Sequence, residues 1–354
     1  MFYYLGIYER SVVNPVVGKS VNIIAEKPHT VFISNSWALI NESMSFTQNE
    51  TYPNVYSVTH NAFDRITSVI SVYNKDYPCS LKNVNSLDDC NSYENSYFIS
   101  GTTIYVHMLD NVTPNKNNII LCYPWNLPAL RINESISTSI KVYLENLDII
   151  GGSDSGLKIN TPSDNTRHQI SCVNCRFMFT QTDAGVKSIH ANLKLINCEA
   201  SYNKYDGISY HNESVGFELN CIGKRNGTEG ADSNNGSTGH NSSSILRVNG
   251  KYFNNEGPNV ADTLSTQSLN IGCIAFDSLN NGTSINKSDF RCGTESTMYL
   301  IGCNTKSSNS ALNIVEMPID DGTLYVDSST KYDTHYGTLT SYTPQFVNES
   351  DYIQ

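Results

Sequence analysis

Short runs in which apolar and polar residues alternate fill the second half of this chain. Examples are 193–196 (Leu-Lys-Leu-Ile) and 244–248 (Ser-Ile-Leu-Arg-Val). Alternation over four or five residues predicts a half-buried β-strand, and no run is long enough for an amphipathic helix. A second set of short runs begins with glycine, at 156–159, 185–189 and 207–210. We therefore expect two or three short strands per unit, separated by turn residues.

A two-residue phrase follows many of these strand runs at nearly constant intervals. It stands at Asn174-Cys175, Asn197-Cys198, Asn220-Cys221, Asn249-Gly250, Gly272-Cys273 and Gly302-Cys303. From each second residue to the next, the intervals are 23, 23, 29, 23 and 30 residues. Periods of this length are typical of stacked repeats, each of which buries its apolar face against the next. The sequence predicts an all-β, right-handed, single-stranded parallel β-helix, which is a solenoid.

The repeat does not extend over the whole chain. Runs such as 103–107 lack the phrase, and they are separated by long polar loops. We predict irregular N-terminal β coils or a cap over residues 1–140, a regular β-helix over 141–317, and a C-terminal cap or tail over 318–354. One long excursion, 223–236, interrupts the regular part and is rich in Gly, Asn, Asp and Ser.

Composition excludes several classes of partner. The formal net charge is −11 at pH 7, and the pI is near 5.1. A nucleic-acid-binding protein needs a basic surface, so we expect no nucleic acid partner. No apolar stretch reaches the roughly 18 residues of a membrane span, so we expect no membrane insertion. We predict no cofactor and no metal, because the CxxC spacing of Cys172 and Cys175 has no second CxxC at zinc-site distance.

The cysteines follow the repeat. Cys175, Cys198 and Cys221 occupy one position in successive units, where parallel stacking predicts an internal column of reduced, buried thiols. Cys79 and Cys90 flank a polar loop and pair only in an oxidising compartment, which the sequence leaves open. The N-terminus has no basic region followed by an apolar core, so we expect either a chain that is not exported by that route or a cut one.

Some segments resemble a known group of proteins. Residues 97–107 resemble the segment that opens many right-handed β-helices of the pectate-lyase-like superfamily, and residues 235–240, 245–253 and 257–262 are similar to β-helical tail spikes and tail fibres of bacteriophages. The resemblance implies a host surface polysaccharide as ligand, often cleaved, and a homotrimer. It also implies a virion tail protein assembled in the bacterial cytoplasm. The acidic calcium-binding cluster of pectate lyases is not found here, which puts lyase chemistry in doubt.

Two alternatives remain open on the sequence. One is a secreted bacterial polysaccharide lyase or glycoside hydrolase, and the other is a structural or adhesive β-helix without catalysis. An upstream particle-binding domain favours the spike, and a signal peptide favours the secreted enzyme. The absence of any cleft with carboxylate or His side chains favours the structural protein.

Stacking of the glycine-led strands predicts a polar column. His211, His240, Asp262 and Asp289 fall at matching places in successive coils. A His beside a carboxylate can act as acid or base. The alternative is a polar stack that only satisfies its own hydrogen bonds. A slip of one residue turns any member to the other face.

Glycoside hydrolysis needs two carboxyl groups about 5 to 9.5 Å apart. The candidates on this face are Asp183, Asp206, Glu256 and Asp262, although Asp183 and Asp206 also suit the turns in which they lie. Tyr205 and Tyr210 either stack on sugar rings or fill strands. We therefore predict catalytic residues and substrate-binding residues as follows. The catalytic set is His211, His240, Asp262 and Asp206, and the binding set is Tyr205, Tyr210, Asp183, Glu256 and Asp289.

Overall fold

Each coil of the solenoid carries three short strands, one in each of three parallel sheets. The computed structural model describes residues 6–9, 20–34, 45–61, 65–74, 76–115, 118–122, 127–132, 136, 138–161, 167–228, 234–279, 288–305, 312–314 and 322–344. In these residues the strands of successive coils pair in register, for example Leu193 with Gly216 and Gly216 with Ile245. The predicted all-β parallel solenoid is confirmed.

The sheets are named here I, II and III. Sheet I contains Gly6–Glu9, Val31–Ser34, Leu147–Ile150, Arg176–Met178, Glu199–Ser201, Ile222–Lys224, Lys251–Phe253, Ile274–Phe276 and Asn304–Thr305. Sheet II contains Val21–Ile24, Lys141–Glu145, Gln169–Val173, Asn192–Ile196, Val215–Leu219, Ser244–Val248, Gln267–Ile271, Thr297–Ile301, Thr323–Asp327 and Leu339–Tyr342. Sheet III contains Leu130–Ile132, Leu157–Asn160, Val186–Ile189, Ile208–His211, Ser237–Gly239, Val260–Asp262, Phe290–Cys292, Leu312–Ile314 and His335–Tyr336.

The recurring phrase is the corner between sheet II and sheet I. Its first residue adopts the left-handed conformation, with φ of 52° at Asn197, 53° at Asn220 and 60° at Gly272. Asparagine and glycine tolerate this conformation best, which explains their recurrence. Asn side chains also bond from coil to coil, since Asn220 Nδ2 donates to Asn197 Oδ1 over 3.1 Å. The phrase therefore sets the bend of each coil.

The second residue of the phrase points into the core. Cys175, Cys198, Cys221, Cys273 and Cys303 are all buried free thiols, as predicted. At Gly250 a side chain has no room, because an added Cβ would lie 2.4 Å from the hydroxyl oxygen of Tyr252. The Tyr252 ring fills the space there. This explains why the phrase departs from Asn-Cys in one coil.

A second internal column consists of amides. The Nδ2 atom of Asn203 donates to Asn226 Oδ1 over 2.9 Å, and Asn226 Nδ2 donates to Asn255 Oδ1 over 3.0 Å. Asn255 continues to Asn259, whose Nδ2 reaches Asp289 Oδ1 at 3.0 Å. All five side chains are buried. The ladder satisfies polar groups at the turn from sheet I to sheet III, where the strands end.

An insert between the solenoid strands Val31–Ser34 and Leu130–Ile132 forms two further sheets. Its five-stranded sheet contains Thr47–Gln48, Tyr56–Thr59, Lys82–Asn83, Ser96–Ser100 and Thr103–His107, and its three-stranded sheet contains Ser68–Ser71, Cys79–Ser80 and Ile119–Cys122. An α-helix, Leu87–Ser92, is capped at its N-terminus by the Ser86 hydroxyl, and a 3₁₀ turn spans Leu109–Asn111.

The segment that resembles the opening of a β-helix lies in this insert. Strands Ser96–Ser100 and Thr103–His107 pair antiparallel, so residues 97–107 form a hairpin and not a solenoid coil. Two turn residues, Gly101 and Thr102, connect the strands, and Gly101 has a φ of 58°. A two-residue connection reverses the chain, whereas a solenoid coil continues in one direction. That part of the resemblance is corrected.

The insert packs on the outside of sheet I. Ile70 and Ile120 of its three-stranded sheet contact Phe32, Ile150 and Met178, all of which are buried. The chain thus covers apolar side chains that point outward from its own first coils.

The predicted divisions at residues 140 and 317 stay predictions. Strands on the two sides of each division pair with one another: Val21–Ile24 pairs with Lys141–Glu145, and Thr323–Asp327 pairs with Thr297–Ile301. Cys79 and Cys90 are separate free thiols. Among the described residues, no helix has the length and apolarity to cross a bilayer.

We expect Cys198→Asp to unfold or aggregate the protein. An unpaired charge in the core costs several kcal/mol, whereas Cys198→Ser keeps the size and should cost about 1 to 2 kcal/mol. Thermal and urea unfolding measure the difference. In the native parent, a thiol reagent should label the partly exposed Cys79 faster than Cys175, Cys198 or Cys221. Ready labelling of these three would contradict the core assignment.

Candidate functional site

The outer face of sheet III carries a polar strip. Because strand residues alternate between inside and outside, one outward column runs through Lys187, Ser209, Thr238 and Ala261. A second outward column contains His211 and, one coil later, His240. Ser209, Thr238 and Ala261 are small and almost fully buried even though they point outward. Larger neighbouring side chains therefore cover these three residues.

The two histidines stack on one another in this strip. Their ring centroids lie 4.7 Å apart with an angle of 9° between the planes. His211 Nε2 lies 2.9 Å from Ser209 Oγ, and His240 Nε2 lies 3.2 Å from Thr238 Oγ1. Burial, the neighbouring His240 and the Lys187 ammonium lower the pKa of His211 to about 3. Both rings are uncharged at neutral pH, because burial also lowers the pKa of His240.

Asp206 lies on the turn that leads from sheet I into sheet III. Its Oδ1 accepts hydrogen bonds from the backbone N–H of Asn235 at 2.8 Å and from Asn235 Nδ2 at 3.3 Å. Burial, aided by the charge of Asp183, raises the pKa of Asp206 to about 7, although bonds from Asn235 and Ser209 oppose the shift. A carboxyl group with this pKa can give or take a proton at neutral pH.

Ser209 is a neighbour of both Asp206 and His211. Its hydroxyl oxygen lies 2.9 Å from His211 Nε2, and its hydroxyl group lowers the pKa of Asp206 against the effect of burial. The three side chains lie close together on one coil. Sequence reasoning proposed Asp206 and His211 but missed Ser209, whose spacing of two residues from His211 on a strand places both on one face.

An ion pair borders the same site. Lys187 Nζ lies 2.7 Å from Asp183 Oδ2, and both side chains are partly exposed. Lys158 and Asp154 repeat this arrangement one coil earlier at 2.6 Å. The Asp183 charge acts on Asp206, and the Lys187 charge acts on both histidines. The strip therefore places two carboxyl groups with different surroundings near one another.

Exposed aromatic rings lie on the same turn as Asp206. Tyr205 is 48% exposed and Tyr202 is 39% exposed. Tyr202 stacks on Phe179 at 5.2 Å, and Arg225 Nη1 donates to the Tyr202 hydroxyl over 2.9 Å. Of the predicted ring-stacking residues, Tyr205 is thus available to a ligand.

Three of the predicted site residues are in the core. Tyr210 and Asp289 are 0% exposed and Asp262 is 1% exposed. Asp262 pairs in register with Gly239 and not with His240, so it points inward, one residue away from the predicted alignment. The Tyr210 ring packs over Gly216, and Asp289 ends the asparagine ladder. These three assignments are corrected.

Glu256 lies on the turn between sheets I and III, separated from the Asp206 turn by the coil that contains the long excursion. It is partly buried, and its backbone N–H donates to Asn226 O over 2.9 Å. Within the excursion, residues 229–233 lie outside the described part of the chain. In the described part, no group of three or more His, Cys, Asp or Glu side chains is arranged to hold a metal ion.

Asp262 belongs to a buried ion network that the sequence did not reveal. The fully buried Arg247 reaches Asp262 with two bonds, from Nη1 to Oδ2 at 3.2 Å and from Nη2 to Oδ1 at 3.0 Å. Glu218 accepts from Ser237 Oγ at 2.7 Å and from the Tyr252 hydroxyl at 2.8 Å. Although burial acts against it, the charges of Asp262 and Glu218 hold the pKa of Arg247 above its usual value.

We expect Asp206→Asn to change how stability depends on pH. The folded pKa is about 7 against 3.8 for a free side chain, so the unfolded chain loses this proton first and the parent loses stability as pH rises from about 4 to about 7. Urea unfolding at pH 5 and pH 8 measures the effect. The variant should gain more over the parent at the higher pH. Asp154→Asn, which removes the equivalent ion pair one coil earlier, is the control, and an equal response of both variants would contradict the assignment.

We expect Asp262→Ala to destabilise the fold by about 3 to 5 kcal/mol, because it leaves Arg247 buried without its bidentate partner. Asp183→Ala removes a partly exposed ion pair and should cost no more than about 1 kcal/mol. Urea unfolding of the two variants gives the comparison. A similar small loss in both would mean that the Arg247 network contributes little.

No protein-family model matches the chain, and no curated protein matches it. Among solved structures, the chain is similar to "The complex structure of XylC with xylose", with a TM-score of 0.43 and 10% sequence identity. The match covers 95% of this chain and 63% of that one, so this chain spans less than two thirds of its length. Likeness at this level carries no argument about activity.

Proposed function

We propose that this protein binds an extended surface polysaccharide of a bacterial host along the polar strip of sheet III and hydrolyses it there. The observation that carries this proposal is the grouping of Asp206, whose pKa is raised to about 7, with Ser209, His211 and the Asp183–Lys187 ion pair on the polar strip. In this proposal the chain is part of a bacteriophage tail spike or tail fibre, assembled in the host cytoplasm as a homotrimer.

The shape and chemistry of the strip suit a sugar chain. Stacked strands repeat every ~4.8 Å and hold their side chains rigidly, so successive coils offer a row of fixed polar groups to an extended ligand. The exposed face of Tyr205 can stack on a sugar ring, and the partly exposed His211 and His240 offer polar contacts on the strip.

The two carboxyl groups support hydrolysis rather than elimination. Because loss of hydration raises the pKa of Asp206 to about 7, this group keeps its proton up to near-neutral pH, and Asp183 lies beside the Lys187 ammonium. A protonated acid near an ionised carboxylate is the pairing that glycoside hydrolysis uses. In this role Asp206 protonates the leaving oxygen of the glycosidic bond. Asp183 acts on the sugar or on the attacking water.

A non-catalytic adhesive or structural solenoid is the second candidate. The observation that favours it is that Ser209–His211 and Thr238–His240 satisfy one another without any ligand. In that case the strip needs no glycan, and variants in it change neither binding nor cleavage.

We expect His211→Ala to weaken polysaccharide binding at least tenfold, because it removes a wall of the strip and the hydrogen-bond partner of Ser209. The melting temperature should change little, since the ring lies outside the core. Binding is measured with a panel of purified capsular polysaccharides and lipopolysaccharides. Lys251→Ala, on the outer face of sheet I, is the control. Unchanged binding by His211→Ala and His240→Ala would exclude the strip.

We expect Asp206→Asn to bind the same polysaccharide but to release reducing ends about 10² to 10⁴ times more slowly, the usual contribution of a general acid. The parent rate should fall as the pH rises above about 7, where Asp206 loses its proton. New reducing ends and unsaturated products are measured together. Unsaturated products would show elimination, and binding without any product would favour the adhesive function.

A further inference from the structure

We propose that the outer face of sheet II is a self-association surface, on which another copy of this chain packs. The proposal is independent of the glycan strip, which lies on sheet III. Four successive strands carry it, Val215–Leu219, Ser244–Val248, Gln267–Ile271 and Thr297–Ile301.

The outward side chains of these strands are largely apolar. The middle outward column consists of Phe217, Leu246, Leu269 and Tyr299, which pair in register from coil to coil. The next outward column is aliphatic in every coil from Ile196 to Ile301. All of these side chains remain partly exposed in the described residues. A sheet face that is exposed to water normally carries polar side chains at these outward positions.

A groove of about 470 Å³ crosses this surface. Leu246, Leu269 and Tyr299 line it together with Val215, which is 44% exposed, and Tyr342. Tyr299 and Tyr325 stack at 4.6 Å, and Tyr342 meets Tyr299 edge-on at 5.2 Å. The groove is a depression in the face that side chains of a partner can fill. Aromatic residues at the centre of such a face are typical of protein interfaces.

The distribution of charge favours a second copy of this chain over a charged partner. Over the four strands, no outward side chain is charged, although the chain has a net charge of −11. The outer face of sheet I carries Glu199, Lys224 and Lys251. A charged partner would find oppositely charged side chains on sheet I rather than on sheet II. Two copies, each strongly acidic, can approach closely only where neither carries charge, which is the sheet II face.

The size and the rim of the face also suit a second copy. The whole outer face of sheet II, ten strands at ~4.8 Å and five residues at ~3.3 Å, spans roughly 800 Å², which is what one partner buries in a standard interface, and the four apolar strands form its middle. The charged outward residues lie on the strands to either side of these four, at Lys141, Glu145, Lys194 and Asp327. An apolar centre with polar ends is the usual anatomy of an interface.

Elsewhere in the molecule, the chain covers a comparable apolar surface with its own residues. On sheet I, the outward Phe32, Ile150 and Met178 are covered by Ile70 and Ile120 of the insert. In the described residues, sheet II has no comparable cover and its apolar columns extend over more coils. A second copy supplies the cover that the insert supplies on sheet I.

The test compares charge on two faces of the same coils. The parent should sediment as an oligomer at micromolar concentration, and the double variant Leu246→Glu, Leu269→Glu should sediment as a monomer. Ile222→Glu with Ile274→Glu, which lie outward on sheet I, is the matched control and should leave the oligomer intact. Circular dichroism checks the fold of each variant. A monomeric parent, or a sheet II variant that stays oligomeric, would overturn the proposal.

Cross-linking tests the same contact without added charge. In a Cys79→Ser background, Leu246→Cys and Leu269→Cys should each give covalent dimers with a short bis-maleimide, and Ile274→Cys should not. The other nine cysteines are buried and contribute little background. Dimers from Ile274→Cys alone would assign the contact to sheet I. Capture of a different protein by the parent, with no self-association, would equally overturn the proposal.

Discussion

Parallel pairing of one coil with the next is the interaction on which this structure depends. In the described residues, the strands of each coil pair with those of the coils above and below it, and these neighbouring coils also cover its inward apolar side chains. Pairing in register requires every coil to turn at the same place, and the left-handed corner at Asn174, Asn197 and Asn220 provides that turn. The corner is local, but its effect reaches the whole solenoid because an error in one coil would shift all that follow.

Register also decides which side chains are available for chemistry. Successive residues of a strand point to opposite faces, so His211 lies outside while its neighbour Tyr210 fills the core. The same rule makes the strip possible, because it brings the hydroxyl of Ser209 and the ring of His211 to one side, next to the Asp206 turn. The rigidity of the stack keeps these groups in place without a ligand.

The core itself is not uniform. Two apolar clusters, one ending near Ile245 and one beginning at Tyr252, are separated by the buried network of Glu218, Arg247 and Asp262. Burying three charges is costly, and replacing them with apolar residues of similar volume is often neutral or stabilising. Such a network is tolerated because its partners come from adjacent coils in fixed register. It therefore ties the two halves of the solenoid to one alignment.

The sequence by itself determined the repeat, the strands and the thiol column, because each depends on neighbours in the chain and on a spacing that stacking preserves. It also contained the asparagine ladder, since Asn203, Asn226 and Asn255 follow the same 23- and 29-residue steps as the corner phrase. Only the tertiary structure decided that Asp262 faces Arg247 and that residues 97–107 form a hairpin. Unequal turns between coils shift the strand alignment by one residue, and one residue exchanges inside for outside. Burial of a carboxylate and the nearness of Asp183, Asp206 and Lys187 likewise arise from coils packed in space, which no local pattern records.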